Sequence, residues 1–168
     1  MAQIIGIGGV SRSGKSTLAR KLSAHFSDKR VCIFDQDDFV KPEAEIPKVQ
    51  DRTDWEHPAS IDVDALVSEI YAAQAHHDLI IVEGLLAFHF DELTRLYDLT
   101  IFMQIDFEMF LFRRQKETRW GAEPDWYIRH VWEAHLPYGQ FPAADFVLTG
   151  ENEISPKTFT ELIKAISI

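Results

Sequence analysis

A glycine-rich segment near the N-terminus, Gly9–Ser16, has the sequence GVSRSGKS. A short apolar run precedes it, and its second glycine is followed at once by Lys15 and the hydroxyl side chain of Ser16. A turn of this kind presents backbone N–H groups to phosphate, and the helix that starts within it directs its positive end to the same point. Because a plain turn needs neither the lysine nor the serine in register, the segment predicts a site for the phosphates of a nucleoside triphosphate.

The residues of this loop have distinct expected tasks. Lys15 should reach the β- and γ-phosphates and take part in catalysis, and the Ser16 hydroxyl should ligate Mg²⁺. The predicted cofactors are therefore ATP and Mg²⁺. The residues of the loop predicted to contact the nucleotide are Gly9, Ser11, Arg12, Ser13, Gly14, Lys15, Ser16 and Thr17.

Carboxylates follow the second apolar run, in the segment FDQDDFVKPE of residues 34–43. Transfer of a phosphoryl group to a hydroxyl needs a carboxylate that orients the acceptor and takes its proton. Asp37 and Asp38 are adjacent in a turn, so their side chains should point apart and only one of them should face the γ-phosphate. A solvated acidic loop is the alternative, and apolar neighbours such as Phe39 argue against it for Asp37.

The charge of the long segment from Asp35 to Asp62 indicates the kind of acceptor, because it carries nine acidic and three basic residues. A kinase that acts on a nucleoside monophosphate would need arginines there, so the segment favours a neutral or cationic acceptor. Trp55 beside Glu56 offers an aromatic face with a carboxylate, which suits a flat cation. Anchoring of the loop to the core by Trp55 is an equal alternative from the residues alone.

Further charged residues lie at later strand and helix ends. Glu83 follows an apolar run, where it could hold a Mg²⁺-bound water or a substrate hydroxyl. Arg113, Arg114 and Arg119 lie on or after a predicted helix and could form a lid that closes over ATP and stabilises the transferring phosphoryl group. The alternative for these arginines is a solvated helix face that pairs with nearby glutamates.

Apolar runs alternate with helical periodicities along the chain. Because strands that alternate with helices form a parallel sheet covered on both faces, residues 1–168 are predicted to form one α/β domain. Pro137 should stop the helix before it, and residues 35–60 show no clean period. The predicted strands are 3–8, 31–34, 79–82, 99–105 and 146–148, and the predicted helices are 15–26, one from about 63, 107–117, 125–135 and a last one capped by Ser155.

Composition limits the class of protein. A net charge of −10 would repel a polyanion, so nucleic acid is not an expected partner. The apolar runs are too short to cross a bilayer and the N-terminus has no export signal, so a cytoplasmic protein with no membrane attachment is expected. The chain lacks the Asp-x-x-Gly and Asn-Lys-x-Asp motifs of GTPase switches, and 168 residues leave little room for a motor. A small-molecule kinase fits best.

Several segments together resemble the nicotinamide riboside kinases, which belong to the uridine kinase-like group of P-loop kinases. The block at residues 36–43 is more specific than the glycine-rich loop, which many families share. The matching segments, in order, are GVSRSGKSTLA, DQDDFVKPEAEI, DWEHPASID, VEGLLAF, the arginine stretch 113–119 and HVW.

The resemblance implies a P-loop kinase fold, a five-stranded parallel sheet flanked by helices with a lid segment. It also implies ATP- and Mg²⁺-dependent phosphorylation of the ribose 5′-hydroxyl of nicotinamide riboside, which yields nicotinamide mononucleotide for NAD synthesis. Uridine or cytidine is the alternative acceptor, and a regulator that binds nucleotide without phosphoryl transfer is a third interpretation. Both a monomer and a homodimer remain open.

By position, the resemblance also implies roles for individual residues. Asp37 matches the catalytic base and metal-side carboxylate, and Arg113 matches an ATP-contacting arginine that we count with the catalytic residues. Arg119 is a further predicted nucleotide contact in the lid. The implied substrate contacts are Asp37, Asp38, Phe39, Trp55, Glu56, Glu83 and Arg114, and the implied metal ligands are Ser16, Asp37 and Glu83. Glu56 stands where the family usually has an aspartate, one methylene shorter.

Overall fold

A computed structural model describes residues 1–117 and 121–167, which are built around one parallel sheet. The strands in these ranges are β1 (Gln3–Gly9), β2 (Val31–Asp35), β3 (Lys48–Val49), β4 (Arg52–Thr53), β5 (Leu79–Gly84), β6 (Leu99–Gln104) and β7 (Phe146–Thr149). The α-helices are α1 (Lys15–His25), α2 (Val63–Gln74), α3 (Asp91–Thr94), α4 (Phe107–Gln115), α5 (Asp125–Tyr138) and α6 (Pro156–Ala165). None of these helices combines the length and apolar character needed to span a bilayer.

The sheet has the strand order β2-β5-β1-β6-β7, and every neighbouring pair is parallel. The predicted α/β class with a five-stranded parallel sheet is confirmed. Because all five strands run the same way, their carboxyl ends meet at one edge of the sheet. The order makes β1 the central strand and puts β5 between β1 and β2, so the loops after these three strands are neighbours.

Helices cover both faces of the sheet, as alternation of side chains along a strand requires. On one face, Ile5 and Ile7 of β1 pack with residues of α1 and α6, among them Leu22 and Leu162. On the other face, Ile4 and its neighbours pack against α2 and α3. The four aliphatic residues Leu79–Val82 of β5 are completely buried because this inner strand is covered on both sides.

A third apolar cluster joins α4 and α5 beyond the carboxyl edge of the sheet. Phe110 of α4 is fully buried there, and Tyr127, Ile128 and Val131 of α5 pack around it. Val10, the second residue of the glycine-rich loop, belongs to the same cluster. The two helices that flank the arginine segment are therefore packed directly against the loop that follows β1.

Two predicted helix ends were wrong. The fourth helix ends at Gln115, two residues earlier than predicted. The helix from Asp125 does not stop before Pro137 but ends at Tyr138, with Gly139 as its C-cap. Pro137 is tolerated because it lies in the last turn, where the loss of one backbone donor and a clash one turn back cost least.

The long segment after β2 is more ordered than its lack of period indicated. It contains the two-residue hairpin of β3 and β4, and an isolated bridge joins Val40 to Ile61. Three 3₁₀ turns complete it, at Gln36–Phe39, Glu43–Glu45 and Pro58–Ser60. Elements of two to four residues are too short to produce a recognisable periodicity, which explains why the sequence did not reveal them.

Candidate active site

The predicted site residues converge at the carboxyl edge of the sheet. The glycine-rich loop follows β1, and Asp37 follows β2 by two residues. Glu83 in β5 is paired in register with Ile7 of β1 on one side and with Asp35 of β2 on the other. Because β5 lies between the other two strands, the Glu83 carboxylate stands between the loop and the aspartates.

The glycine-rich loop has the backbone geometry of an anion cradle. Gly9, Arg12 and Gly14 have positive φ angles of 147°, 66° and 100°. The Ser13 N–H donates to the Val10 carbonyl at 3.1 Å, which closes the turn. Helix α1 then starts at Lys15 with no side-chain cap, so its first backbone N–H groups are available to an anion.

Gly150, in the loop after β7, allows this cradle to lie close to the neighbouring loop. A Cβ added to Gly150 would lie 1.9 Å from the Ser13 carbonyl oxygen, so no side chain fits there. The Gly150 N–H donates to the Gln104 carbonyl at 2.8 Å, which fixes the loop to β6. The end of β7 is thus part of the wall of the phosphate cradle.

Lys15 is the central cation of the site. Its Nζ donates to the Val10 carbonyl at 3.1 Å, which keeps the side chain folded over its own loop. Burial lowers the pKa of Lys15, while the negative charges of Glu83, Asp37, Glu56 and Asp35 oppose that shift. Carboxylates from three separate segments therefore surround one ammonium group.

Glu83 is the most buried of these carboxylates, with 3% of its surface exposed. Burial raises the pKa of Glu83, and a hydrogen bond with Ser16 and the charge of Lys15 act in the opposite direction. The Ser16 hydroxyl is therefore near enough to the Glu83 carboxylate to lower its pKa. An alcohol and a carboxylate side by side form an all-oxygen donor set suited to a hard cation.

Asp37 lies in the 3₁₀ turn after β2, where its backbone N–H donates to the Asp35 carboxylate at 3.0 Å. Asp37 is exposed to solvent, although the protein around it removes part of the water that would stabilise its charge. Removal from water and then the charge of Asp35 raise the pKa of Asp37, whereas Lys15 and Arg114 lower it. The charges of both cations therefore act on Asp37, whereas Asp38 is not among the carboxylates that act on Lys15.

The buried side chain of Gln36 supports this turn, and sequence reasoning had missed it. Its Oε1 accepts from the Leu86 N–H at 2.9 Å, which joins the turn after β2 to the end of β5. A Cβ on Gly84 would lie 2.3 Å from the same Oε1, so the glycine after Glu83 is required by this packing. The glycine after Glu83 at the end of the strand was a signal in the sequence, because a glycine there indicates that another side chain packs closely against the backbone.

The two arginines of α4 have different partners. Arg113 donates to three backbone carbonyls, those of Arg12 at 2.9 Å, Gly150 at 2.6 Å and Glu151 at 3.2 Å. It thereby ties the glycine-rich loop to the loop after β7. Glu117, one of the glutamates near these arginines, forms an ion pair with Arg12.

Arg114 joins Glu123 to the glycine-rich loop. Its Nε and Nη2 donate to both oxygens of Glu123 at 2.7 and 2.8 Å, and its Nη1 donates to the Ser11 hydroxyl at 2.8 Å. The charge of Arg114 acts on both Asp37 and Glu56. Glu123 was not predicted from the sequence, and Arg119 lies outside the described residues.

The segment that contains Trp55 and Glu56 forms the outer wall of the site. Trp55 is 42% exposed as a residue, and it is not part of the apolar clusters described above, so its side chain is available to a ligand. Burial raises the pKa of Glu56 to about 7, with Arg114 and Lys15 lowering it and Asp37 and Asp54 raising it. Phe39 packs instead among the partly buried residues on the α2 side of the sheet.

The fold and this site define a P-loop kinase. Residues 5–126 match the family model described as an AAA domain. Human nicotinamide riboside kinase 1 is 30% identical over 156 residues, which cover 82% of this chain and 76% of the relative. A uridine kinase from Geobacillus sp. (strain WCH70) is 26% identical over 136 residues, or 66% of this chain and 64% of the relative, just under two thirds of its length.

Solved structures agree on the fold. A sugar kinase from Janibacter sp. HTCC2649 superposes with a TM-score of 0.61 at 20% identity, covering 99% of this chain and 94% of that one. The chain belongs to the family of P-loop kinases that includes the nicotinamide riboside kinases and the uridine kinases. It is accordingly an ATP-dependent kinase of the nucleoside kinase type.

Proposed function

We propose that the protein transfers the γ-phosphoryl group of ATP to the ribose 5′-hydroxyl of nicotinamide riboside and releases nicotinamide mononucleotide. The observation that carries this proposal is the exposed Trp55 next in sequence to Glu56, whose negative charge acts on Lys15 of the phosphate loop. A pyridinium ring is flat and positively charged, so an aromatic face and a carboxylate are suitable partners for it. The match to a human nicotinamide riboside kinase supports the same acceptor.

In the proposed reaction, the loop amides and Lys15 hold the triphosphate while Asp37 orients the acceptor hydroxyl and takes its proton. The raised pKa of Asp37 makes its carboxylate a better proton acceptor than an ordinary aspartate. Arg114 would balance the negative charge on the acceptor side, and Arg113 would fix the loop that holds the nucleotide. Asp38 and Phe39, also predicted to contact the substrate, have no part in this proposal, because Asp38 is exposed and Phe39 packs on the α2 side of the sheet.

Mg²⁺ fits the donor set of this site. Ser16, Glu83 and Asp37 offer only oxygen atoms, and they are the residues proposed to hold the ion together with the nucleotide. Among the described residues no group of three or more His, Cys, Asp or Glu side chains could hold a metal alone, so ATP would supply the remaining ligands. When bound, the ion supplies neutralisation of the charge that develops on the phosphates.

A competition assay tests the acceptor. Nicotinamide riboside and uridine, present together at equal concentration with ATP and Mg²⁺, should yield nicotinamide mononucleotide as the main product. Uridine is the second candidate because the chain also matches uridine kinases. A predominance of uridine monophosphate would overturn the proposed acceptor and leave the kinase assignment intact.

The acceptor preference should depend on pH through Glu56. Because its pKa is raised to about 7, the side chain is mostly neutral at pH 6 and mostly a carboxylate at pH 8, and only the carboxylate attracts a cationic ring. The ratio of kcat/KM for nicotinamide riboside to that for uridine should therefore rise about tenfold from pH 6 to pH 8. The titration of Asp37 affects both acceptors alike and cancels in the ratio.

Glu56→Gln is the control for this effect. The amide has the same shape and no titratable group, so the ratio should become flat with pH and stay at its low-pH value. A wild-type ratio that does not change between pH 6 and pH 8 would contradict the role given to Glu56.

A further inference from the structure

The segment that carries Trp55 and Glu56 is held in shape mainly by bonds within itself. The Asp54 N–H donates to the Pro47 carbonyl at 2.8 Å, and the Ser60 hydroxyl donates to the Trp55 carbonyl at 2.9 Å. The His57 N–H donates to the Asp54 carbonyl at 3.2 Å. These bonds fold the segment but do not fix its position relative to the phosphate loop.

Helix α5 supplies an attachment outside the segment. His130 Nε2 lies 2.8 Å from Asp54 Oδ1, and because an ionised carboxylate can only accept, the ring nitrogen is the donor. The side chains are 24% and 12% exposed, so water competes weakly for this bond. Tyr127, one turn earlier, approaches the Thr53 carbonyl at 3.4 Å, a distance at which a hydrogen bond is weak.

The same helix is packed against the element that carries the arginines. Val131 of α5 and the fully buried Phe110 of α4 belong to one apolar cluster, which also includes Val10 of the phosphate loop. Arg114 of α4 bonds to Ser11 of that loop. The bond between His130 and Asp54 therefore connects the acceptor wall to the framework that holds the triphosphate.

A carboxylate at this place needs its partner. Asp54 is 8% exposed, and a buried carboxylate without a hydrogen-bond donor is costly. Loss of the donor should therefore move Asp54 toward water and displace Trp55 and Glu56, which follow it directly. The triphosphate loop has its own bonds and should not move.

We propose that His130 is a positioning residue for the acceptor, which acts through Asp54 to fix the distance between the Trp55–Glu56 wall and the phosphoryl donor. This inference rests on the proposed function insofar as that wall binds the nucleoside. In this proposal His130 of α5 contributes to acceptor binding only through Asp54, without a contact of its own to the reacting atoms.

Steady-state kinetics of His130→Ala test the proposal, with the nucleoside that the wild-type protein phosphorylates best. The kcat/KM for the nucleoside should fall about tenfold, mostly through KM, because one charge-assisted hydrogen bond is lost. The KM for ATP should stay within about twofold of the wild-type value, since the phosphate loop keeps its contacts. His130→Gln should recover most of the loss because its amide N–H can donate to Asp54.

Glu133→Ala, an exposed position on the same helix, is the matched control and should leave both KM values unchanged. Should His130→Ala fail to fold, Asp54→Ala removes the other half of the bond and should give the same acceptor-specific loss. Unchanged nucleoside KM in these variants, an equal rise in both KM values, or no recovery with His130→Gln would each overturn the proposal. A wild-type protein that phosphorylates uridine but not nicotinamide riboside would instead reject the proposed acceptor and leave this test valid.

Discussion

Asp37→Asn should lower kcat by roughly 100- to 10,000-fold, the range typical for removal of a general base. Asparagine has nearly the same shape but cannot take the proton of the acceptor hydroxyl. Because the charges of Lys15 and Arg114 act on Asp37, the substitution also removes a negative charge that these two cations stabilise. The phosphate loop does not depend on this side chain, so binding of ATP in the absence of Mg²⁺, measured by calorimetry, should be preserved.

Asp38→Asn is the matched control, since it makes the same chemical change one residue along the same turn. Asp38 is exposed and is not among the carboxylates that act on Lys15, and its effect on the pKa of Asp37 is smaller than those of Asp35 and Lys15, so its replacement should change kcat by less than about threefold. Equal losses in the two variants would show that the turn as a whole, and not the Asp37 carboxylate, supports catalysis. Retention of more than a tenth of wild-type kcat in Asp37→Asn would exclude its role as the base.

The Asp37→Asn variant also distinguishes proton transfer from metal binding. If the carboxylate helps to hold Mg²⁺ in addition to taking the proton, the Mg²⁺ concentration needed for half-maximal activity should rise in the variant. High Mg²⁺ would then restore only part of the lost rate, because the amide remains unable to accept the proton. Full recovery at high Mg²⁺ would show that Asp37 acts only as a metal ligand and not as the base.

The sheet and the phosphate loop were predictable because their signals are local. The run Gln3–Gly9 and the fully apolar residues of β5 have the composition of strands buried on both faces, and alternation with helical periods implies the parallel arrangement. The cap of the last helix was equally local. Ser155 accepts from the Thr158 N–H, as its position before an apolar helical face had indicated.

The partners of the site residues were not predictable in the same way, because they are distant in the chain. Arg113 bonds to the carbonyl of Arg12, which is 101 positions away, and His130 bonds to Asp54 across 76 positions. A residue type identifies a donor but does not specify which acceptor the fold brings to it. The lid role predicted for Arg113 did not specify the three backbone carbonyls to which its guanidinium group donates.

Charge pattern was the intermediate case. The excess of acidic residues between Asp35 and Asp62 indicated a non-anionic acceptor without any knowledge of distances. The pattern does not show how deeply each carboxyl group is buried, and burial shifts its pKa. Glu56 has a pKa raised to about 7 because it is removed from water, whereas sequence alone presents it as one more surface acid.

Lys15→Met should lower kcat by about 100- to 1000-fold, as expected for loss of a preorganised cation at the transferring phosphoryl group. Methionine keeps the length of the side chain and removes the charge, so the β- and γ-phosphates lose their ammonium partner. Lys21→Met, six residues later on α1 and beside Glu153, is the control and should remain close to wild type in kcat.

Lys15→Met has a second consequence that follows from the carboxylates around the ammonium group. Lys15 lowers the pKa of Glu56, so its removal should raise that pKa further above 7 and move the rise of the acceptor ratio to higher pH. A loss of phosphate contact alone would reduce the rate with both nucleosides and leave the midpoint of that ratio unchanged. An unchanged midpoint together with a reduced kcat would therefore show that Lys15 does not influence the acceptor wall. A kcat within threefold of wild type would show that Lys15 has no role in catalysis.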